Sequence, residues 1–213
     1  MPPEMRRIPL NAARHNTPRQ ARHKEDSIKW RDMEPLNHQG RVLYVVACAA
    51  PAAAGLPRLV TLAQTSGWQV HVVATPMGER FIDIPELERL TGDLVRSAFR
   101  MPDAPKGLPP ADAVIVAPAT FNTINKWAGG IADTFAVGLL CEMMGFGVPI
   151  VAVPLLKDAL ARHVAFGRSV AALRKMGVHV LFDPAAPPEA RMPSWDRVMQ
   201  ELHSVVRGRQ TQG

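Results

Sequence analysis

From Arg41 onward the chain alternates short, near-continuous apolar runs with longer segments whose apolar residues recur every three or four positions. Arg41-Val42-Leu43-Tyr44-Val45-Val46-Ala47-Cys48 is a β-branched and aliphatic run, the pattern of a strand buried on both faces. Similar runs predict strands over Gln69–Thr75, Ala111–Ala117, Val148–Val153 and Val178–Phe182, with a further short strand over Val95–Phe99. Helical spacing predicts helices over Leu56–Ser66, Asn122–Ala128, Ile131–Met144, Asp158–Met176 and Ser194–Val206, with short helices over Met77–Phe81 and Pro85–Leu90. Gly67 stands where a helix-terminating glycine belongs. The loop Met101–Pro110 holds four prolines and is neither helix nor central strand.

Strands and helices in this alternation build right-handed βαβ units. The expected fold is α/β, a Rossmann-like open parallel sheet with helices on both faces, in a single domain over residues 41–207. Ligands in such sheets bind beyond the carboxyl ends of the strands, where the strand order reverses. The residues to read for chemistry are therefore those just past Cys48, Thr75, Ala117 and Val153.

Residues 1–40 lack this periodicity. They are polar, arginine-rich and broken by Pro2, Pro3, Pro9, Pro18 and Pro35, so they are expected to be a disordered basic tail. Translation starting at Met33 is an alternative reading. Glu4, Glu25, Asp26, Asp32 and Glu34 argue against an organelle transit peptide, which is poor in acidic residues. Residues 208–213 are read as a short C-terminal tail.

The formal net charge of +6 raises the question of a nucleic-acid partner. It divides evenly, however: eight Lys/Arg against five Asp/Glu in residues 1–40, and 17 against 14 in the remainder. No basic stripe stands out, and a single tyrosine is present to interleave with bases, so nucleic acid is not expected as a partner. The longest apolar stretch, Val42–Leu56, is interrupted by Pro51 and falls short of the roughly 20 residues a membrane span needs. Two cysteines make neither a disulfide framework nor a tetrathiolate metal site. These features describe a soluble, cytoplasmic protein with no membrane partner and no metal.

The chemistry-bearing string follows the third strong strand: Ala117-Pro118-Ala119-Thr120-Phe121-Asn122-Thr123-Ile124-Asn125-Lys126-Trp127-Ala128-Gly129-Gly130-Ile131-Ala132-Asp133. Hydroxyls, an amide and small residues replace the apolar run at a strand-to-helix turn. Such a turn offers free backbone N–H groups and side-chain donors to a phosphate or another electron-rich group. Taken singly, Thr120 or Asn122 reads better as a helix N-cap.

The whole string resembles the Pro-Ala-Ser-Ala-Asn-Thr signature of the homo-oligomeric flavin-containing cysteine decarboxylases, a family that includes phosphopantothenoylcysteine decarboxylases and lantibiotic-type peptidyl-cysteine decarboxylases. Pro118-Ala119-Thr120-Phe121-Asn122-Thr123 matches with Thr for Ser and Phe for Ala, and the Lys, Gly and Ala-Asp positions continue to Asp133. The resemblance extends over roughly residues 41–183. It implies an FMN cofactor, a small-molecule or peptide substrate and a homo-oligomer, trimer or dodecamer. It places Pro118, Ala119, Thr120, Asn122 and Thr123 along the flavin, Asn122 also toward substrate, and Thr75 on the phosphate or ribityl chain. The family's Gly-Ser at the first strand-helix turn corresponds here to Ala49 and Ala50, where backbone N–H groups alone remain to hold a phosphate.

Two departures bear on the reaction the resemblance implies. Family decarboxylases carry a catalytic His a few residues before the Ala-Asp matched by Ala111-Asp112, and the segment from Arg100 to Pro110 contains none. After the next strand, the family's Asn that holds the substrate carboxylate is replaced by Lys157. That lysine either binds a carboxylate or phosphate as a point charge or is a solvated residue beside Asp158, the expected N-cap of the next helix. His71 and His163 read as packed or surface imidazoles. Cys48 and Cys141 read as small buried hydrophobes, with Cys48 able to face the cofactor. Trp127 reads as core, and Met143, Met144 and Phe146 as core or a subunit seam.

Two functions remain open from the sequence. One is an FMN enzyme, lyase or oxidoreductase, catalysing flavin-dependent redox or decarboxylation chemistry without the usual His. The other is a flavin-binding regulatory or structural subunit without catalysis. No catalytic residue is assigned.

Overall fold

Five apolar runs pair side by side into one parallel sheet. The computed structural model describes residues 40–99, 107–187 and 191–210, so the expectations for residues 1–39 and for the start of the proline-rich loop lie outside the described residues. The strands are β1 (Arg41–Ala47), β2 (Trp68–Ala74), β3 (Ala113–Ala119), β4 (Ile150–Pro154) and β5 (His179–Val180). Their order across the sheet is β2-β1-β3-β4-β5, all parallel. The chain leaves β1 outward to β2 and then crosses back to β3, so the order reverses between β1 and β3. The fold is α/β, Rossmann-like and of flavodoxin type.

Among the described residues seven helices connect or follow these strands: α1 (Leu56–Thr65), α2 (Ile84–Thr91), α3 (Phe121–Ala128), α4 (Phe135–Gly145), α5 (Asp158–Ala161), α6 (Val164–Lys175) and α7 (Trp195–Gln210). Two 3-10 turns, Pro51–Gly55 and Gly78–Phe81, follow the ends of β1 and β2. Because strand side chains alternate between faces, Leu43, Val45 and Ala47 join Ile115, Ala117, Val151 and Val153 in one apolar layer. Leu56, Leu59 and Val60 of α1 and Val198, Leu202 and Val206 of α7 close that layer. The other face is covered by α3, α4 and α6, where Ile124, Trp127, Leu140, Phe166 and Leu173 are fully or almost fully buried. Each such large apolar side chain contributes about 1.5–3 kcal/mol through burial.

Several boundaries differ from the sequence pattern for local reasons. Val95–Phe99 forms no strand; Arg96 makes one parallel bridge to Val73, with its N–H bonded to Val72 O at 3.1 Å. Helix α4 begins at Phe135 rather than Ile131. Gly130 turns the chain at φ +68°, and the Thr134 hydroxyl accepts the Val137 N–H at 3.4 Å as the cap. The helix expected over Asp158–Met176 is split in two. His163 has extended backbone between α5 and α6, and its Nδ1 accepts the Ala165 N–H at 3.1 Å. Strand β5 is two residues long, His179–Val180, and the Arg174 guanidinium donates to the Val180 and Phe182 carbonyls at and just past its end. Helix α7 runs on to Gln210, one turn past its expected end.

Helix α4 is apolar almost all round, the pattern of a helix that is central or shared between subunits. Ala136, Val137, Gly138, Leu139, Leu140 and Met143 are buried within the chain itself. Trp127 is core, as its pattern indicated. No helix among the described residues is long and apolar enough to cross a membrane.

Candidate functional site

The carboxyl ends of β1, β2, β3 and β4 open into one cleft of about 1060 Å³. That is at the upper end of the roughly 300–1,000 Å³ usual for small-molecule sites. Ala49, Ala50, Thr75, Thr120, Asn122, Thr123 and Lys157, seven of the residues singled out from the sequence, all line it.

Each strand end contributes a different chemistry. After β1 the chain enters the 3-10 turn through Ala50, which has extended backbone and supplies no side-chain cap, so only backbone groups serve there. After β2 the Thr75 N–H bonds Ala47 O at 2.9 Å, and the Thr75 hydroxyl accepts the Gly78 N–H at 3.0 Å. A hydroxyl that accepts one bond still has its own proton to donate, so Thr75 is a donor toward the cleft. After β3, Thr120 occupies the N-cap position of α3 but its side chain caps no backbone N–H. Of the two sequence readings of Thr120, the capping one therefore fails. Asn122, in the first turn, is exposed to the cleft.

Pro118 and Ala119 are placed differently from expectation. Strand β3 continues through both, and they are buried beneath the cleft rather than lining it. Their contribution is to the frame: Ala119 O accepts the Leu155 N–H at 2.8 Å and so ties the β4 end to the β3 end.

The β4 side is an apolar wall formed by Leu155, Leu156 and Leu160, facing Met77, Phe81 and Val137 among other lining residues. Leu155 and Leu156 follow a strand end, but no residue type there marked an apolar wall, and the folded topology alone adds Leu160, Phe81 and Val137 to it. Lys157 is exposed on this wall, and its ammonium has no hydrogen-bond or ion-pair partner among the described residues. It, not Asp158, is the N-cap residue of α5; the Asp158 carboxylate instead pairs with the nearly buried Arg191 guanidinium. Lys126 also reaches the cleft, but its ammonium lies 2.6 Å from the Asp133 carboxylate. Among the described residues no Asp or Glu lines the cleft, and Lys157 is its unpaired charge.

None of the four described histidines lines the cleft. His71 is buried in β2 with Nδ1 3.3 Å from the Asp93 carboxylate, and His163 caps α6 while its ring meets Phe121 edge-on. His179 pairs with Glu201, and His203 approaches the Trp68 indole at 3.5 Å. Cys48 does not face the cleft either: it is fully buried, and burial pushes its thiol above the ordinary range. Among the described residues, then, the lining offers hydroxyls, an amide, backbone N–H groups and ammonium groups. It offers no side chain that exchanges protons near neutrality. Such a site can bind, orient and exclude water around a group that brings its own reactivity.

The donor set fits a phosphorylated, flat-ringed cofactor. The Thr75 proton and uncapped backbone N–H groups suit a phosphate or polyol, and the apolar walls suit a ring system. The steric match at Gly78 supports this: a Cβ there would lie 2.5 Å from Ala47 O, so the turn closes around the strand ends as tightly as a glycine allows. No group of three or more His, Cys, Asp or Glu side chains suited to a metal occurs among the described residues.

Residues 32–207 match the family described as Flavoprotein. Among curated relatives, the coenzyme A biosynthesis bifunctional protein CoaBC of Thermococcus kodakarensis is 26% identical over 170 residues, covering 74% of this chain and 42% of the relative. A cysteine/cysteine sulfinic acid decarboxylase from an unknown prokaryotic organism is 34% identical over 97 residues, 46% of this chain and 26% of that protein. The chain thus spans less than half the length of both. Among solved structures, the FMN-dependent cysteine decarboxylase SpaF superposes with a TM-score of 0.57 at 28% identity, over 67% of this chain and 83% of that one.

Proposed function

Since the chain belongs to the Flavoprotein family, within the flavin-containing cysteine decarboxylase superfamily, we propose that its cleft binds FMN and carries out flavin-dependent redox or decarboxylation chemistry on a small or peptidyl substrate. The observation that carries this reading is the convergence of four strand ends, at the reversal of strand order, on one cleft with a hydroxyl-and-amide pole and apolar walls. Thr75 and the backbone around Ala49 and Ala50 hold the phosphate or ribityl end. Thr120, Asn122 and the first turn of α3 flank the ring, while Phe121 and Val137 exclude water from it. Bound there, the isoalloxazine supplies the hydride acceptor or donor that the side chains lack.

The same arrangement separates two anionic positions. From β2 to β4 the sheet crosses three strand spacings, about 14 Å at roughly 4.8 Å each. A phosphate beside Thr75 and the Lys157 ammonium therefore belong to opposite sides of the cleft, which leaves Lys157 for a carboxylate or phosphate on the substrate. Asn122, exposed between the two, is positioned for either ligand.

The absence of an imidazole or carboxylate among the described lining residues favours a second reading, a flavin-binding regulatory or structural subunit. For both readings a homo-oligomer is the working assembly. Phe99 and Ile131, both more than half exposed beside α4, are apolar surface that a second copy would cover.

The test is the visible spectrum of the purified protein before and after FMN addition and gel filtration. Retained flavin absorption supports the cofactor, and its bleaching by a thiol or cysteine-terminated peptide without oxygen supports the enzyme. Retained flavin that no such substrate bleaches supports the non-catalytic subunit. A colourless protein that refuses FMN contradicts both.

A further inference from the structure

Three side chains in and beneath the cleft form a hydrogen-bonded line. Thr120 Oγ1 lies 3.1 Å from Thr123 Oγ1, and Thr123 Oγ1 donates to Cys48 Sγ at 3.3 Å. The sulfur also receives the backbone N–H of Thr120. With two donors aimed at it in a fully buried position, Cys48 Sγ is the acceptor at the end of the line, and its own S–H is too weak a donor to reverse the direction.

A proton count then fixes the sense of the whole line. Each threonine hydroxyl has one proton. That of Thr123 is committed to the sulfur, so the 3.1 Å contact must be donated by Thr120. Thr120 is left with lone pairs alone on its cleft side. Thr75 is the opposite case: it accepts from the Gly78 N–H and keeps its proton for the cleft. Two hydroxyls of the same residue type thus present opposite polarity to whatever binds between them.

We propose that Cys48 is a positioning residue which, through Thr123, locks Thr120 as a hydrogen-bond acceptor, so that the cleft selects a ligand bearing an N–H or O–H donor beside Thr120 and an oxygen acceptor beside Thr75. The proposal rests on the reading of this cleft as the flavin site. In a flavin mononucleotide the ring imide and the ribityl hydroxyls are donors of the required kind, and the phosphate is the acceptor.

The experiment measures FMN affinity, and the visible absorption of the bound flavin, for the wild-type chain and for Thr120→Val, Thr123→Val, Thr123→Ser, Cys48→Ala and the Thr120→Val/Thr123→Val double variant. Far-ultraviolet circular dichroism checks folding in each case. Thr123→Val frees the Thr120 proton and lets it turn into the cleft, and Cys48→Ala does the same by freeing the Thr123 proton. Each is expected to weaken FMN by about five- to tenfold and to shift the flavin band, as loss of one directed hydrogen bond does. Thr123→Ser should recover most of the loss. The double variant should bind no more weakly than the weaker of its two single variants, because one line of hydrogen bonds is broken once.

Folded Thr123→Val and Cys48→Ala proteins with wild-type affinity and spectrum, or single effects that simply add in the double variant, overturn the proposal while leaving the flavin site intact. Should Thr123→Val fail to fold, Cys48→Ala alone decides. No FMN uptake by the wild-type chain overturns the flavin reading itself, and this proposal with it.

Discussion

The Thr75 hydroxyl and the Gly78 backbone N–H meet at 3.0 Å across the turn that follows β2, and the carbonyl of Ala47 from the neighbouring strand closes on the same point. A Cβ at position 78 would lie 2.5 Å from Ala47 O and 2.8 Å from Thr75 Oγ1. Neither atom has room to yield, since one is backbone and the other is held by the turn. Gly78→Ala is therefore expected to cost about 1–3 kcal/mol, as overpacking of a close-packed site does. Chemical denaturation measures the cost, and an FMN titration of the folded fraction should show weaker binding because the β1 and β2 ends are pushed apart.

Thr75→Val removes the acceptor of the buried Gly78 N–H without changing side-chain shape. An unsatisfied buried N–H costs about 1–3 kcal/mol, so the urea midpoint should fall accordingly. Thr75→Ser keeps the hydroxyl and should restore most of the stability. Equal midpoints for Val and Ser would mean that the turn does not depend on this bond.

The wall that carries Lys157 is held from outside the cleft. Arg191, its side chain only 7% exposed, pairs with Asp158 at the start of α5 and donates from Nε to Ala186 O at 3.1 Å. Removing one partner of a fully buried pair costs several kcal/mol, but Asp158 is 44% exposed and partly screened. Asp158→Ala should thus cost about 1–2 kcal/mol, between the buried and surface cases. The expected functional consequence is weaker binding of anionic substrates with FMN affinity preserved, read from separate titrations of the two ligands.

How much of this was legible in the sequence follows from how local each feature is. The strands were legible because Val42–Cys48, Gln69–Thr75 and Ala111–Ala117 are short runs dominated by apolar and β-branched residues, and their βα alternation leaves few topologies. Thr75, Thr120, Asn122 and Lys157 were legible as cleft residues because each follows a strand end. Helix ends decided by a single hydrogen bond were not legible. The His163 cap that splits α5 from α6 and the Thr134 cap that delays α4 compete with an uninterrupted helical pattern and win locally. Nor were contacts between distant positions, such as Asp158 with Arg191, Cys48 with Thr123 or the Tyr44 hydroxyl with Pro109 O, since only the folded chain brings them together. Pro118 and Ala119 came from the family resemblance alone, and the pattern of apolar residues, which ends at Ala117, did not show that β3 continues through both.

Both thiols of the chain are pushed above their ordinary value, chiefly by burial, with Glu142 adding to the effect at Cys141. A folded-state value raised above the unfolded one means that the folded chain retains its thiol protons longer. The associated stability is fully present below the unfolded thiol's value of 9.0 and is lost as pH rises through it toward the folded value. Denaturation midpoints should therefore decline above that pH. At pH 8 a disulfide reagent should leave Cys48 untouched until the protein unfolds, with Cys141 reacting slowly. Rapid modification of two thiols in the native protein would contradict the placement of Cys48 beneath the cleft.

The proposed function stands or falls with FMN binding in one cleft, built from the ends of β1, β2, β3 and β4. Calorimetric titration of FMN into the wild-type chain and into Asn122→Ala, whose side chain is exposed in the cleft and carries little of the fold, tests it most directly. One FMN per chain is expected for the wild type and about tenfold weaker binding for the variant, the loss expected of one hydrogen bond in a desolvated site. Absence of binding to the wild type, or identical affinity in the two proteins, would contradict it.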